Sequence, residues 1–127
     1  MSNVPNDLKY TKGHSWVKAD GDLATVGISD FAQDTLGSIL LFELTGEGST
    51  VTQGQPLGTV ESDKATSDVI SPVSGEIIEI NENVTSAPEK ANDDPYGEGW
   101  LVKVRMSDPD ELSNLMSADE FEKFISA

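Results

Sequence analysis

The chain has 127 residues, of which 36% are apolar, so its length and composition predict one globular domain over residues 1–127. Its 23 acidic and 8 basic residues give a formal net charge of −15, which argues against binding to nucleic acid or to an anionic membrane, because both are bound through clustered Lys and Arg. The absence of cysteine excludes disulfides, thiolate metal sites and cysteine nucleophiles, and the lack of a signal-like or membrane-length apolar segment leads us to expect a cytoplasmic protein.

Short strands separated by turns dominate the first part of the chain. Residues 15–19 and Leu23–Ile28 predict a hairpin, because the residues between them have turn chemistry. Ser29 is placed to cap a short helix, and Gly37 is placed to end it. The compact apolar run Ile39–Leu44 then predicts a buried strand.

The middle of the chain predicts a second hairpin. Pro56–Ser62 and Thr66–Ile70 have the composition of strands, and a tight turn containing Asp63 and Lys64 joins them. After a proline-containing break, Gly75–Ile80 predicts another strand.

The last third predicts a loop, one strand and two helices. Residues 81–99 are polar and rich in Pro, Gly and Asp, which is typical of a long ordered loop. Residues 100–106 alternate between apolar and charged side chains, as a half-buried strand does. Helix-start signals at Asp108 and Ser117 predict two short C-terminal helices. The elements together indicate a mostly β domain with a short internal helix and two short C-terminal helices.

Few residues could carry out catalysis. The single histidine, His14, has no nucleophile motif near it, and one histidine without cysteine cannot form a typical zinc site. His14 is therefore more typical of a structural or surface histidine than of a general base. Asp93 and Asp94 fit a solvated turn better than a cation site. The sequence predicts neither an enzyme nor a metal site.

Lys64 differs from the other basic residues in its placement. A lysine at the tip of a tight hairpin is exposed and is held in position by two strands, and a modifying enzyme needs both properties. Acylation would remove its charge and turn the side chain into a long tether that raises the local concentration of a carried group. An ordinary turn lysine is the commoner case, so the neighbouring residues have to decide between the two interpretations.

Residues 61–68 and 71–76 resemble the lipoyl-attachment region of glycine cleavage H proteins. The resemblance extends along nearly the whole chain. The other matching residues and segments are 8–12, His14, Trp16, 25–30, 32–33, 36–37, Asn92, 95–100, 110–112 and the last helix.

The resemblance implies a lipoyl/biotinyl-type barrel sandwich that carries lipoic acid in amide linkage on Lys64. Glu61, Ser62, Asp63 and Ala65 would form the recognition turn around it. The implied protein is a non-catalytic carrier. It would shuttle the aminomethyl group of glycine from a pyridoxal-phosphate-dependent glycine decarboxylase to a tetrahydrofolate-dependent aminomethyltransferase, and the dithiol to the flavin enzyme dihydrolipoamide dehydrogenase. A lipoyl- or octanoyl-attaching enzyme is a fourth implied partner, and the free carrier is expected to be a monomer.

The resemblance also implies a surface cleft that shelters the loaded arm, at His14, Ser15 and Thr35. Ser15 stands where the family usually has a glutamate near the cationic amine of the arm, and Thr35 stands where some members have histidine. Asp63 stands where the family commonly has valine, and it is similar to the Asp-Lys-Ala turn of 2-oxoacid dehydrogenase lipoyl domains. These departures fit drift at tolerant positions, or a carrier that protects its cargo less well.

Four other interpretations are weighed against this one. A divergent H-like protein that relays lipoyl groups to other enzymes is poorly separated by sequence. A lipoyl domain of another multienzyme complex would be shorter and followed by an Ala/Pro-rich linker, and a biotin carrier would flank its lysine with methionines. A binding module that kept only the fold would remain unmodified.

Overall fold

The computed structural model describes residues 3–126. Within that range the chain forms nine strands and five short helical segments. The strands are β1 (Lys9–Tyr10), β2 (Ser15–Asp20), β3 (Leu23–Ile28), β4 (Ile39–Leu44), β5 (Thr50–Val51), β6 (Pro56–Ser62), β7 (Thr66–Ile70), β8 (Gly75–Ile80) and β9 (Val102–Met106). The helices are α1 (Asp30–Leu36), α2 (Glu82–Ser86), α3 (Lys90–Asp93), a 3-10 helix (Pro109–Asn114) and α4 (Ala118–Ser126).

The strands form two antiparallel sheets that share one apolar core. The larger sheet has the order β1-β2-β3-β9-β8-β5, and the smaller one has the order β4-β6-β7. Buried side chains from both sheets form the core, such as Val26 and Val104 from the larger sheet and Phe42 and Val60 from the smaller. Burial of this apolar surface, at about 25 cal/mol per Å², holds the two sheets together. The predicted mostly β sandwich is therefore confirmed.

The residues that the sequence predicts to begin and end helices make the expected hydrogen bonds. The Ser29 hydroxyl accepts a hydrogen bond from the Ala32 amide at 3.1 Å and so caps α1. Gly37 ends α1 with φ of 80° and donates its N–H to the Gln33 carbonyl. Ser117 and Glu120 form a reciprocal capping box at the start of α4, with distances of 2.9 and 3.2 Å.

Three segments differ from the sequence-based expectation. Residues 81–99 contain α2 and α3 rather than only loop, and these helices are too short to show an apolar periodicity. Strand β4 is not uniformly buried, because a β-bulge between Ile39 and Leu41 turns two leucines to solvent. The first of the two C-terminal helices is a 3-10 helix.

A second, smaller core fastens α4 to the edge of the larger sheet. Tyr10 stacks on Phe121 with 4.6 Å between ring centroids, and both side chains are fully buried. The Trp16 indole N–H donates to the Pro95 carbonyl at 3.0 Å. The loop of residues 11–14, which carries His14, lies between these two anchored residues, Tyr10 and Trp16.

No helix between residues 3 and 126 combines the length and the apolar character that a membrane span requires.

Candidate functional site

Lys64 lies at the tip of the hairpin formed by β6 and β7. The side chain of Ser62, which is buried, organises this turn: its oxygen accepts from the amides of Lys64 and Ala65, each at 3.2 Å. The Ser62 amide also donates to the Ala65 carbonyl at 2.8 Å. The turn is therefore fixed by hydrogen bonds that leave the Lys64 side chain exposed.

The terminal nitrogen of Lys64 is accessible to an incoming molecule. Across residues 3–126 it makes neither an ion pair nor a hydrogen bond, whereas Lys90 and Lys103 pair with Glu98 and Glu79. The exposed carboxylates Glu61 and Asp63 stand next to the turn on the β6 side. The ammonium thus projects from a locally acidic surface.

The loop between α1 and β4 packs against the Lys64 turn and supports it. The Asp63 amide donates to the Ser38 carbonyl at 3.0 Å. A Cβ on Gly37 would lie 2.9 Å from an Asp63 carboxylate oxygen and 3.3 Å from Lys64 Cε. The stem of the Lys64 side chain therefore packs over Gly37, at a place where no larger residue fits without displacement.

Asn92 holds this supporting loop in place. Its side-chain amide donates to the Gly37 carbonyl at 2.8 Å and to Gln33 Oε1 at 3.0 Å, and its Oδ1 accepts from the Ile39 amide at 3.0 Å. One side chain on α3 thereby ties the end of α1 to the start of β4.

A groove of about 310 Å³ lies between α1, the edge strand β7 and the loop of residues 11–14. His14, Ser15 and Thr35, the three residues expected at the arm cleft, all line it. Its other side chains are mostly apolar, and Asp68 is the one carboxylate among the described residues of the lining. The remaining lining residues are Gly13, Ile28, Ala32, Leu36, Val60, Ser67 and Val69.

Ser15 is at the groove, but its hydroxyl is already engaged. The side chain is 1% exposed, and its hydroxyl donates to the Ile70 carbonyl at 2.7 Å. Because that hydroxyl has only one proton, the Thr11 hydroxyl, 2.7 Å away, must be the donor in the contact between the two. Ser15 therefore ties β2 to the end of β7, and its hydroxyl proton is not available to a ligand in the groove.

His14 lies at the mouth of the groove within an aromatic cluster. Its ring meets Phe31 edge-on at 5.1 Å between centroids and lies 6.0 Å from the ring of Phe124. Burial lowers the pKa of His14 below its ordinary value of 6.5, because desolvation disfavours the charged imidazolium. The part of the rim at His14 is therefore aromatic and uncharged at neutral pH.

Three residues that support or line the site were not singled out from the sequence, namely Gly37, Asn92 and Asp68. Gly37 was expected to end α1, and Asn92 counted only as part of the resemblance. Gly37 lies against Asp63 and Lys64, and Asn92 bonds Gly37, only because the fold brings distant segments together, so a pattern of neighbours in sequence does not show these contacts.

The fold matches that of a solved carrier protein. A crystal structure of a glycine cleavage system H protein from Mycobacterium marinum superposes with a TM-score of 0.89 and 35% identity, covering 98% of this chain and 100% of that one. The two-sheet β-fold of this chain is thus the fold of a carrier protein.

Sequence comparison identifies the family. The model of the Glycine cleavage H-protein family matches residues 8–127. The glycine cleavage system H proteins of Rubrobacter xylanophilus and Carboxydothermus hydrogenoformans are 54% and 48% identical, over 95% and 98% of this chain and 94% and 96% of their own lengths. The mitochondrial H protein of Pisum sativum is 50% identical over 98% of this chain and 75% of its own length. The chain belongs to the glycine cleavage H-protein family, whose members are non-catalytic lipoyl carriers of the glycine cleavage system.

Proposed function

We propose that Lys64 is the lysine on which this chain carries its lipoyl group. The observation that carries the proposal is the position of Lys64: it is exposed, has no ion pair among residues 3–126, and stands on a turn whose backbone is fixed by Ser62. Glu61, Ser62, Asp63 and Ala65 would be the recognition turn around it, since they give the lysine a constant shape and an acidic surround.

The residues present fit such an attachment. Lys64 Nζ, once deprotonated, attacks the carbonyl carbon of an activated acyl donor such as an acyl adenylate. The bond from that carbon to the phosphate oxygen breaks, AMP leaves, and the amine proton passes to solvent, so that an amide is formed. The attack needs an amine that no carboxylate holds, and Lys64 has no ion pair across residues 3–126.

The groove beside α1 suits the apolar part of such an arm. Ile28, Ala32, Leu36 and Val69 give it an apolar wall, so an aliphatic chain is sheltered from water there. Asp68 offers the charge that can pair with a cationic amine at the rim. When bound, the lipoyl group would supply a disulfide that takes up the aminomethyl group of glycine at one sulfur and is left as a dithiol, still attached to the chain, once that group has been passed on.

The same assignment implies four protein partners. They are the pyridoxal-phosphate-dependent glycine decarboxylase, the tetrahydrofolate-dependent aminomethyltransferase, the flavin enzyme dihydrolipoamide dehydrogenase and a lipoyl- or octanoyl-attaching enzyme. The net charge of −15 favours partners with basic surfaces and disfavours nucleic acid. We further propose that residues 1–127 act as one domain, that the free carrier is a monomer and that it works in the cytoplasm.

Intact-mass measurement tests the attachment site. Wild-type protein, incubated with a lipoate-activating ligase, lipoic acid and ATP, should gain one lipoyl increment. The variant Lys64→Arg should gain none, because a guanidinium keeps its proton and cannot attack the acyl donor. Lys18→Arg, on the exposed part of β2, is the matched control and should be modified like wild type. A lipoyl increment that persists in Lys64→Arg would refute the assignment.

A further inference from the structure

Two consecutive leucines on β4 face solvent next to the Lys64 turn. Leu40 is 55% exposed and Leu41 is 40% exposed, whereas their neighbours Ile39 and Phe42 are buried. The cause is the β-bulge between Ile39 and Leu41, which shifts the register against β6 and interrupts the alternation of inward and outward side chains. Exposing apolar side chains to water costs solvation free energy, so we expect a binding partner to cover the two leucines.

The leucines lie close to the base of the Lys64 side chain. Ile39 pairs with Ser62 and Leu41 pairs with Glu61, which is three residues before Lys64. At about 3.3 Å per strand residue, Leu41 is within roughly 10 Å of the turn. The leucine pair and Lys64 can therefore be covered by one partner surface.

The surround of the leucine pair is acidic. Glu61 stands opposite Leu41, and the exposed Glu43 lies two residues further along β4. The strands β4, β6 and β7 contain no lysine or arginine. A partner surface that has an apolar centre and basic side chains around it complements this face. The opposite charges would also raise the association rate of the two proteins.

We propose that the leucine pair Leu40 and Leu41, framed by Glu43 and Glu61, is the surface on which the enzyme that acylates Lys64 docks. This inference rests on the assignment of Lys64 as the attachment site. An acylating enzyme must bring its acyl carbonyl to Nζ of the bare lysine, so its surface has to lie against the turn and the strand beside it. An enzyme that uses the finished arm meets its distal end and can act without covering β4.

Kinetics of lipoyl incorporation test the docking surface. In the double variant Leu40→Thr and Leu41→Thr, kcat/KM for incorporation from lipoic acid and ATP by a lipoate-activating ligase should fall about tenfold, mainly through KM. The control Leu23→Thr removes a leucine of similar exposure, 37%, from the far hairpin and should stay within about twofold of wild type. Equal rates for the double variant and this control would overturn the proposal. Unfolding in urea checks that both variants keep wild-type stability, as exposed positions allow.

A second pair of variants tests the acidic residues that surround the two leucines. Glu43→Lys should lower kcat/KM for incorporation several-fold, because it places a like charge against the basic partner, whereas Glu122→Lys on α4 should leave it unchanged. An equal effect of the two variants on kcat/KM would contradict a specific role for the acidic residues on β4.

A last comparison separates this inference from the assignment of Lys64. The double variant, once it has been fully lipoylated by long incubation, should support glycine cleavage at the wild-type rate. If the lipoylated double variant is slowed in glycine cleavage as much as the bare variant is slowed in lipoyl incorporation, the leucine pair is not a docking surface specific to acylation. If Lys64→Arg still gains the lipoyl increment, the attachment site itself is wrong. If Lys64 is the modified residue but the double variant is modified at the wild-type rate, only the docking surface is wrong.

Discussion

Gly37 lies against the side chains of Asp63 and Lys64. Its φ of 80° and ψ of −148° lie in a region that only glycine occupies without strain, and a Cβ there would press on Asp63 and Lys64. A side chain at this position would therefore both strain the backbone and displace Asp63 and Lys64 in the adjacent turn.

Gly37→Ala should therefore lower the free energy of unfolding by about 1–3 kcal/mol and slow lipoyl incorporation. Gly21→Ala is the matched control, since Gly21 also has positive φ, 65°, but a Cβ at Gly21 would meet no atom of the described residues within 4 Å. It should cost only about 1 kcal/mol and leave incorporation unchanged. Urea unfolding and intact mass over time give both quantities. Equal incorporation rates for the two variants would show that Gly37 does not support the turn.

His14 should make the stability of the protein depend on pH in a range where no other side chain titrates at its ordinary pKa. Burial lowers its pKa in the folded state, so between that pKa and 6.5 the unfolded chain binds more protons than the folded one. The stabilising contribution is present above pH 6.5 and is lost as the pH falls through the folded pKa.

Urea unfolding between pH 7.5 and pH 5.5 should show this loss in wild type and a smaller loss in His14→Asn. Asparagine suits the position because His14 has φ of 70°, which asparagine tolerates better than most residues do. Identical pH dependence in the two proteins would contradict a buried, neutral His14.

At the scale of elements, Asn92 joins three parts of the chain that are far apart in sequence. Asn92→Ala removes its hydrogen bonds to Gln33, Gly37 and Ile39, and it should lower the free energy of unfolding by about 2 kcal/mol. Asn83→Ala on α2 is a suitable control, because the Asn83 side chain is exposed and makes no hydrogen bond within residues 3–126. A loss in Asn92→Ala no larger than that in Asn83→Ala would contradict the linking role.

Most strands could be predicted from the sequence because local chemistry defines them. Leu23–Ile28, Pro56–Ser62 and Thr66–Ile70 begin and end in the structure where the sequence places them, since turn residues flank each one. The Ser29 cap and the Gly37 stop of α1 are likewise local signals.

Features that depend on packing across the fold could not be predicted. The helices α2 and α3 are held by the side chains of Asn81 and Asn92, whose partners lie elsewhere in the chain. The bulge in β4 depends on its register against β6, so the apolar run Ile39–Leu44 predicted uniform burial. Ser15 lies at the expected groove, but only the position of the Ile70 carbonyl shows that its hydroxyl is engaged.

At the scale of the whole molecule, two sheets around one core hold α1 so that its side chains line the groove and its C-terminal end meets the Lys64 hairpin. The chain as a whole has a formal net charge of −15, which favours encounters with basic partner surfaces, and salt would weaken these encounters. The fold therefore contributes position and shelter, and the chemistry belongs to the enzymes it serves.

Reconstituted glycine cleavage tests the central role of Lys64 most directly. Lipoylated wild type and Lys18→Arg, mixed with the decarboxylase, the aminomethyltransferase and dihydrolipoamide dehydrogenase, should release ammonia from glycine at equal rates. Lys64→Arg, treated with the same ligase, should release none above the level seen without carrier. Ammonia release by Lys64→Arg at the wild-type rate would contradict the assignment of Lys64 as the carrier lysine.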